Sequence, residues 1–192
     1  MVLAGGRSSR FGADKLQVDL DGRTLLERAL DDLPADAELI VAGPERPINR
    51  PACFVSEEPP GSGPAAAMIA GLRAALRNNP EAIVVLPGDA PAASRTAMAL
   101  LTALLAGDSQ AVMAANAGGR VQPLQLALRR DAAVALVEAG GESGAAGESA
   151  RVLVGRLTPR SVPVAAEDHF DIDTPDDLLL WQRHAGCCHP QN

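Results

Sequence analysis

Aromatic side chains are almost absent: one Trp, three Phe and no Tyr make up 2% of the 192 residues. Such a chain has no stacking platform for single-stranded nucleic acid, and its core must be built from Ala, Leu and Val. A basic surplus is absent too. Against 17 Lys and Arg stand 24 Asp and Glu, for a net charge of −7, so no general positive surface attracts a polyanion. Any phosphate ligand must be held by a focused local site. No apolar run approaches the roughly 18 residues that span a bilayer. Met1-Val2-Leu3-Ala4-Gly5-Gly6 carries neither the basic region nor the apolar stretch of a secretory signal. Three cysteines, an odd number, make no disulfide framework. These absences predict a soluble, cytoplasmic protein with no nucleic-acid and no membrane partner.

What is present is an ordinary globular mixture, 47% hydrophobic and 21% charged, long enough to bury a substantial core without a disulfide or metal. Residues 1–186 read as a single domain, and 187–192 as a disordered tail. Short β-like runs alternate with helical ones, which predicts an α/β fold with a mainly parallel sheet. Strands are expected at Met1 to Leu3, Leu39 to Val41, Phe54-Val55, Ala82 to Leu86, Ala111 to Ala115 and Pro123 to Leu128. Thr24-Leu25-Leu26-Glu27 has capping-box spacing and opens a helix with Leu26, Ala29, Leu30 and Leu33 on one face. Further helices are expected after Pro64, over Ser94 to Leu105, from Arg130 to Glu138, and after Thr174-Pro175, where Thr caps and Pro takes the first turn. Gly140 to Ser149 reads as an interior loop.

The most informative stretch is Leu3-Ala4-Gly5-Gly6-Arg7-Ser8-Ser9-Arg10-Phe11-Gly12-Ala13-Asp14-Lys15. Glycines let backbone N–H groups approach an anion, and Arg10 and Lys15 add charge where a polyphosphate would lie. It is not a Walker A loop, because no Gly-Lys-Ser/Thr follows, and it lacks the third glycine of a dinucleotide fingerprint. The bland alternative is a glycine-rich turn flanked by solvated cations. Gly61-Ser62-Gly63-Pro64-Ala65-Ala66 matches the fingerprint formally, but Glu57 to Pro60 separate it from the preceding strand. It reads instead as a loop closing over a base and sugar.

Taken together, these segments resemble the nucleotide-binding signature of the nucleoside-triphosphate transferases related to molybdenum cofactor guanylyltransferase. That family carries Leu-Ala-Gly-Gly, then Ser-x-Arg-Met/Phe-Gly, then Asp-Lys. The likeness extends to Glu57 to Pro64, to Pro87-Gly88-Asp89-Ala90-Pro91, to Gln122-Pro123-Leu124 and to Asp171-Ile172-Asp173-Thr174-Pro175. All of these stand in the family's order.

The resemblance implies a three-layer, Rossmann-like nucleotidyltransferase fold. It implies transfer of a guanylyl group from GTP to the terminal phosphate of molybdenum-molybdopterin, with Mg²⁺ as cofactor and molybdoenzyme-maturation proteins as further partners. Leu3, Ala4, Gly5, Gly6, Lys15, Glu58 and Asp89 would bind the nucleotide, with Glu57 standing in for Glu58 if the register slips. Lys15, Arg10 and Asp89 would carry catalysis. Asp89, at the end of a buried strand, would hold the metal, a hard carboxylate suited to Mg²⁺; alone, its Pro-Gly-Asp-Ala-Pro would be read as a turn. Asp171 and Asp173, alternating along a strand, are further metal candidates, or simply favourable charges at a helix N-terminus.

Alternatives stay open. The nucleotide could be CTP, as in a molybdenum cofactor cytidylyltransferase, or the acceptor a sugar or polyol phosphate. A non-catalytic nucleotide-binding relative is the third reading, against which Lys15 and Asp89 stand together. Cys53 is expected to be a small buried hydrophobe, and Cys187-Cys188-His189 with His184 a fraying terminus rather than a metal site. The short first strand also admits a start upstream of Met1.

Overall fold

The structure is a computed structural model that describes residues 1–6 and 11–186. Seven strands form one sheet, in the order β3-β2-β1-β4-β6-β5-β7. They are β1 (Val2–Leu3), β2 (Ile40–Ala42), β3 (Cys53–Val55), β4 (Ala82–Pro87), β5 (Ala111–Ala115), β6 (Val121–Arg129) and β7 (Arg160–Pro163). Only β6 runs antiparallel to its neighbours β4 and β5; the other adjacent pairs are parallel. The expected α/β class and mainly parallel sheet are therefore present.

Helices cover both faces: α1 (Leu25–Arg28), α2 (Pro64–Ala75), α3 (Ser94–Leu105), α4 (Arg130–Gly140), α5 (Ala150–Gly155) and α6 (Pro175–Gly186). Strand alternation divides the core between them. Leu3, Leu126 and Leu128 face α2, α4 and α5, whereas Val2 joins α1 and α6, and Ala127 joins α3. With so few aromatics, Leu, Ala, Val and Ile fill these layers, as their abundance requires.

The connections agree with the local chemistry in most places, and two differences have physical causes. The Thr24–Glu27 capping box forms with both reciprocal bonds, but α1 stops at Arg28 instead of reaching Leu33. Beyond it the backbone bonds are three residues apart, from Asp31 N to Arg28 O and from Leu33 N to Leu30 O. Pro34 disfavours helical backbone at the residue before it, so tight turns replace further α-helix. Cys53 is exposed, not buried, because β3 is the edge strand and only β2 flanks it.

Among the described residues no helix is long and apolar enough to cross a membrane.

Candidate active site at the carboxyl ends of the central strands

β1 has β2 on one side and β4 on the other, both parallel to it. The loops leaving β1 and β4 therefore emerge side by side at the carboxyl ends of parallel strands, the edge at which open α/β sheets bind ligands, and pack against one another on one face. Two close backbone approaches shape the crevice there. Gly88 donates its N–H to Leu3 O at 2.8 Å, and a Cβ on Gly88 would lie 2.9 Å from that same oxygen. Gly43 lies closer still to the first loop: a Cβ there would come within 2.4 Å of Ala4 O. The sequence can bring these segments together only with glycine at both points.

Into this crevice the structure brings four of the expected residues, Lys15, Asp89, Asp171 and Asp173. Lys15 opens a short 3-10 turn, Lys15–Gln17, capped by the Asp14 side chain. Its ammonium donates to Asp89 Oδ2 at 2.9 Å, to Asp173 Oδ1 at 2.8 Å and to Ile172 O at 2.9 Å. Its side chain is only 12% exposed; the bonds are charge-assisted, the one to Asp89 part-buried and the one to Asp173 open to water. Burial works against the ammonium, but the attraction of Asp89, reinforced by Asp173, outweighs it and holds the pKa above the ordinary lysine value.

Asp171 and Asp173 lie outside the sheet, not on the expected strand. Among the described residues no strand pairs with the segment; it is pinned at its middle residue. Ile172 is fully buried, its N–H donates to Asp89 O at 2.9 Å, and its carbonyl accepts from Lys15. Phe170 stacks on Trp181 of α6, ring centroids 6.1 Å apart. At the other end Thr174 N–H and Oγ1 both donate to Asp177 Oδ2 at 2.8 Å, and Asp173 N–H donates to it at 3.1 Å. Hydrogen bonds from Thr174 hold the Asp177 carboxyl below the usual carboxylate range.

Asp89, Asp171 and Asp173 line a cleft of about 90 Å³ with Pro87, Gln122, Leu124 and Gln125, room for a few water molecules. Asp171 is exposed as a residue, yet protein atoms displace water from its carboxyl. That desolvation, with the negative charges of Asp89 and Asp173, raises its pKa to about 7. Gln125 is almost fully buried beside the cleft; its Nε2 donates to Asp168 O at 2.6 Å, and its Oε1 has no hydrogen-bond partner among the described residues.

A larger hollow, about 300 Å³, opens at the opposite ends of β2 and β4, among Ile40, Ala82 and Leu101. Its lining is mostly apolar and includes none of the residues expected to act on a nucleotide, so the smaller, polar cleft is the candidate site.

Leu3, Ala4, Gly5 and Gly6 run along the crevice rim, Leu3 and Ala4 buried and both glycines exposed. Glu58 is exposed, and among the described residues no hydrogen bond or ion pair joins it to the Lys15 cluster. Glu57 shapes the same loop, its Oε1 accepting Gly61 N–H at 3.0 Å. Arg10 lies outside the described residues, as do Cys187, Cys188 and His189. Among the described residues no three His, Cys, Asp or Glu side chains form a metal cage.

Sequence reading overlooked two features. Lys15 is the chain's single lysine against sixteen arginines, a compositional signal for a site that needs a compact ammonium. Arg46, within a loop rich in Pro and Arg, is buried against Ala4 and Asp14.

Comparison with known proteins follows this geometry. The model of the MobA-like NTP transferase domain matches residues 1–159. A Xanthomonas euvesicatoria protein named molybdenum cofactor guanylyltransferase is 34% identical over 187 residues, covering 95% of this chain and 92% of its own. The crystal structure of molybdopterin-guanine dinucleotide biosynthesis protein A from Archaeoglobus fulgidus superimposes with a TM-score of 0.71 at 22% identity, covering 97% of each chain. A Mycobacterium tuberculosis protein solved in complex with manganese gives 0.64 at 22% identity, over 95% of this chain and 96% of its own. The two structural likenesses show the fold.

Proposed function

Since the chain belongs to the MobA-like NTP transferase family, we propose that it transfers a guanylyl group from GTP to the terminal phosphate of molybdenum-molybdopterin and releases pyrophosphate. One observation carries the reading at the level of the site. A lone lysine stands between carboxylates from two distant segments, at the crevice where an open α/β sheet takes its ligand. The relative from Xanthomonas euvesicatoria, similar over nearly the whole chain, supports the choice of nucleotide and acceptor.

The chemistry requires no protein general base. A phosphate monoester with a second pKa near 6 is largely dianionic at neutral pH, and its oxygen is the nucleophile. That oxygen bonds to the α-phosphorus as the bond to the bridging oxygen of the β-phosphate breaks, and pyrophosphate departs with the electron pair. Catalysis is then positioning and neutralisation of charge. The exposed amides of Gly5 and Gly6 cradle the phosphates; the Ala4 N–H, expected to join them, is taken by Ala42 O at 2.8 Å. Lys15 exchanges its contacts with Asp89 and Asp173 for phosphate oxygens and stabilises the reacting group. Arg10 meets the leaving pyrophosphate, and the Glu57 to Pro64 loop, with Glu58, covers the base and sugar.

The carboxylate set fits a divalent cation. Asp89, Asp171 and Asp173 bring three carboxylates around one ammonium, and the raised pKa of Asp171, due first to desolvation, is pushed further by the charges of Asp89 and Asp173. Mg²⁺ binds through one or two carboxylates plus substrate phosphates, so a protein cage of three ligands is not needed. Asp89 would hold it, with Asp173 or Asp171 beside it. Once bound, the ion supplies charge neutralisation across the triphosphate. Manganese in the Mycobacterium tuberculosis structure belongs to that protein; here the case rests on the donor set. We infer that the reaction runs in the cytoplasm, where GTP is supplied.

Nucleotide choice tests the reading. Guanine offers N–H donors at N1 and N2, which suit an acidic loop and backbone carbonyls, and a wrong base leaves buried partners unpaired at about 1–3 kcal/mol each. In side-by-side calorimetric titrations with magnesium, GTP should bind at least about tenfold more tightly than CTP or ATP. Tighter binding of CTP would move the protein to cytidylyl transfer.

A further inference from the structure

We propose that Arg46 is a positioning residue of this transferase. It clasps the two ends of the Gly5 to Ala13 loop together and, through Asp14, fixes where Lys15 stands. Its dependence on the function proposed above is confined to the reaction used to assay it.

The contacts form one continuous path. Arg46 Nη1 donates to Ala4 O at 2.7 Å, at the start of the loop, and to Pro44 O at 3.3 Å. Nε and Nη2 grip the two oxygens of Asp14, at the loop's end, at 2.7 and 3.2 Å. Asp14 Oδ1 also accepts Leu16 N–H at 3.2 Å, which caps the turn that opens with Lys15. Arg46 thus touches neither Lys15 nor the cleft; it acts through Asp14.

Three physical features single out this side chain. First, it is 6% exposed, so its charge must be matched, and losing either partner leaves the other ion uncompensated. Second, the geometry needs an arginine. Three directions are served at once by one planar fork, which an ammonium cannot reproduce. Third, the loop after β2 lies directly on the first loop because Gly43 leaves no Cβ against Ala4 O. The two ends of the phosphate-binding segment are therefore held by a group outside that segment, and their separation sets the position of the lysine.

A purely structural arginine would affect stability alone, so the test reads the position of Lys15 directly. Feeding ¹³C-lysine labels this single lysine and yields one Hε–Cε signal. In the nucleotide-free protein, Arg46→Met and Asp14→Asn should each move that signal. Both should lower kcat for GTP by about 10- to 100-fold, with a smaller change in KM, as expected for a misplaced reactive group. Arg46→Lys should recover only part of the loss.

Arg129 is the control. Its guanidinium holds Leu104 and Gly107 carbonyls at the far end of the sheet. Arg129→Met should lower Tm while keeping both the lysine signal and kcat. Should Arg46→Met fail to fold, Asp14→Asn carries the test, because the amide keeps the capping acceptor at a half-exposed position. An unmoved lysine signal overturns the proposal, and so does a moved signal with wild-type kcat. If the wild type does not turn over GTP, the functional reading fails, while the NMR comparison still decides the role of Arg46.

Discussion

On one side of Lys15, Asp14 is gripped by Nε and Nη2 of a buried guanidinium and accepts a capping backbone N–H. On the other, Asp89, Asp171 and Asp173 share one cleft, and the ammonium between them pairs with two of the three. The fold has settled the first group and left the second with excess negative charge. A carboxylate fully matched within the protein does structural work; carboxylates left in excess at a strand-end crevice are prepared for an incoming cation. The residue between the two groups belongs to both. It is anchored through its backbone to the settled side and reaches with its side chain to the unsettled one.

The sharpest way to break this contrast is at Asp89. Asp89→Asn keeps shape and volume but removes the charge expected to hold the metal. Turnover should fall by about 10²- to 10³-fold, with little change in Tm. Near-wild-type activity at saturating magnesium would show that the cleft does not need its charge.

Next comes the lysine. Lys15→Ala should lower kcat by about 10²-fold, more than it weakens nucleotide binding, if the ammonium stabilises charge that develops during transfer. A variant whose only defect is a raised KM for nucleotide would reduce Lys15 to a binding contact. The loss should also make magnesium more tightly bound, because Asp89 and Asp173 then lack their internal cation; isothermal titration with magnesium alone reads this.

Much of this contrast was legible in the sequence. The Leu3 to Lys15 segment and the Asp89 turn are local patterns with local consequences, and the alternation of strands and helices follows from burial periodicity. Thr24 and Thr174 cap as their spacing requires. What escaped depends on distance. Lys15 meets Asp173 across 158 positions, and no periodicity encodes that pairing. Alternation in Phe170 to Asp173 was wrongly read as a strand, because Lys15 and Asp89 O take the place of a neighbouring strand in holding it. Arg46 sits in an irregular loop, where a buried arginine looks like any solvated one until its partners are known. Cys53 was misplaced because sequence shows a strand but not whether it lies at the edge.

The smallest effect concerns the unsettled side itself. Desolvation, then repulsion from Asp89 and Asp173, raises the Asp171 pKa from 3.8 to about 7 in the folded protein. Below pH about 4 the carboxyl is neutral in both folded and unfolded chains, and it costs nothing. As pH rises toward 7 the unfolded chain gives up this proton while the native protein keeps it, so the contribution to stability declines, and above 7 the loss is complete. Asp171→Asn removes the charge and should therefore stabilise the metal-free protein at pH 8 but not at pH 4. Because Asp171 stays open to water, screening limits the gain to about 1 kcal/mol, a Tm rise of about 2–4 °C for a chain of this size. Magnesium should shrink the difference at pH 8, since a bound cation relieves the same repulsion in the wild type. Thermal denaturation of both proteins at the two pH values, with and without magnesium, measures it. An equal Tm difference at pH 4 and pH 8 would mean that the gain comes from packing, and that the cleft carries no excess charge.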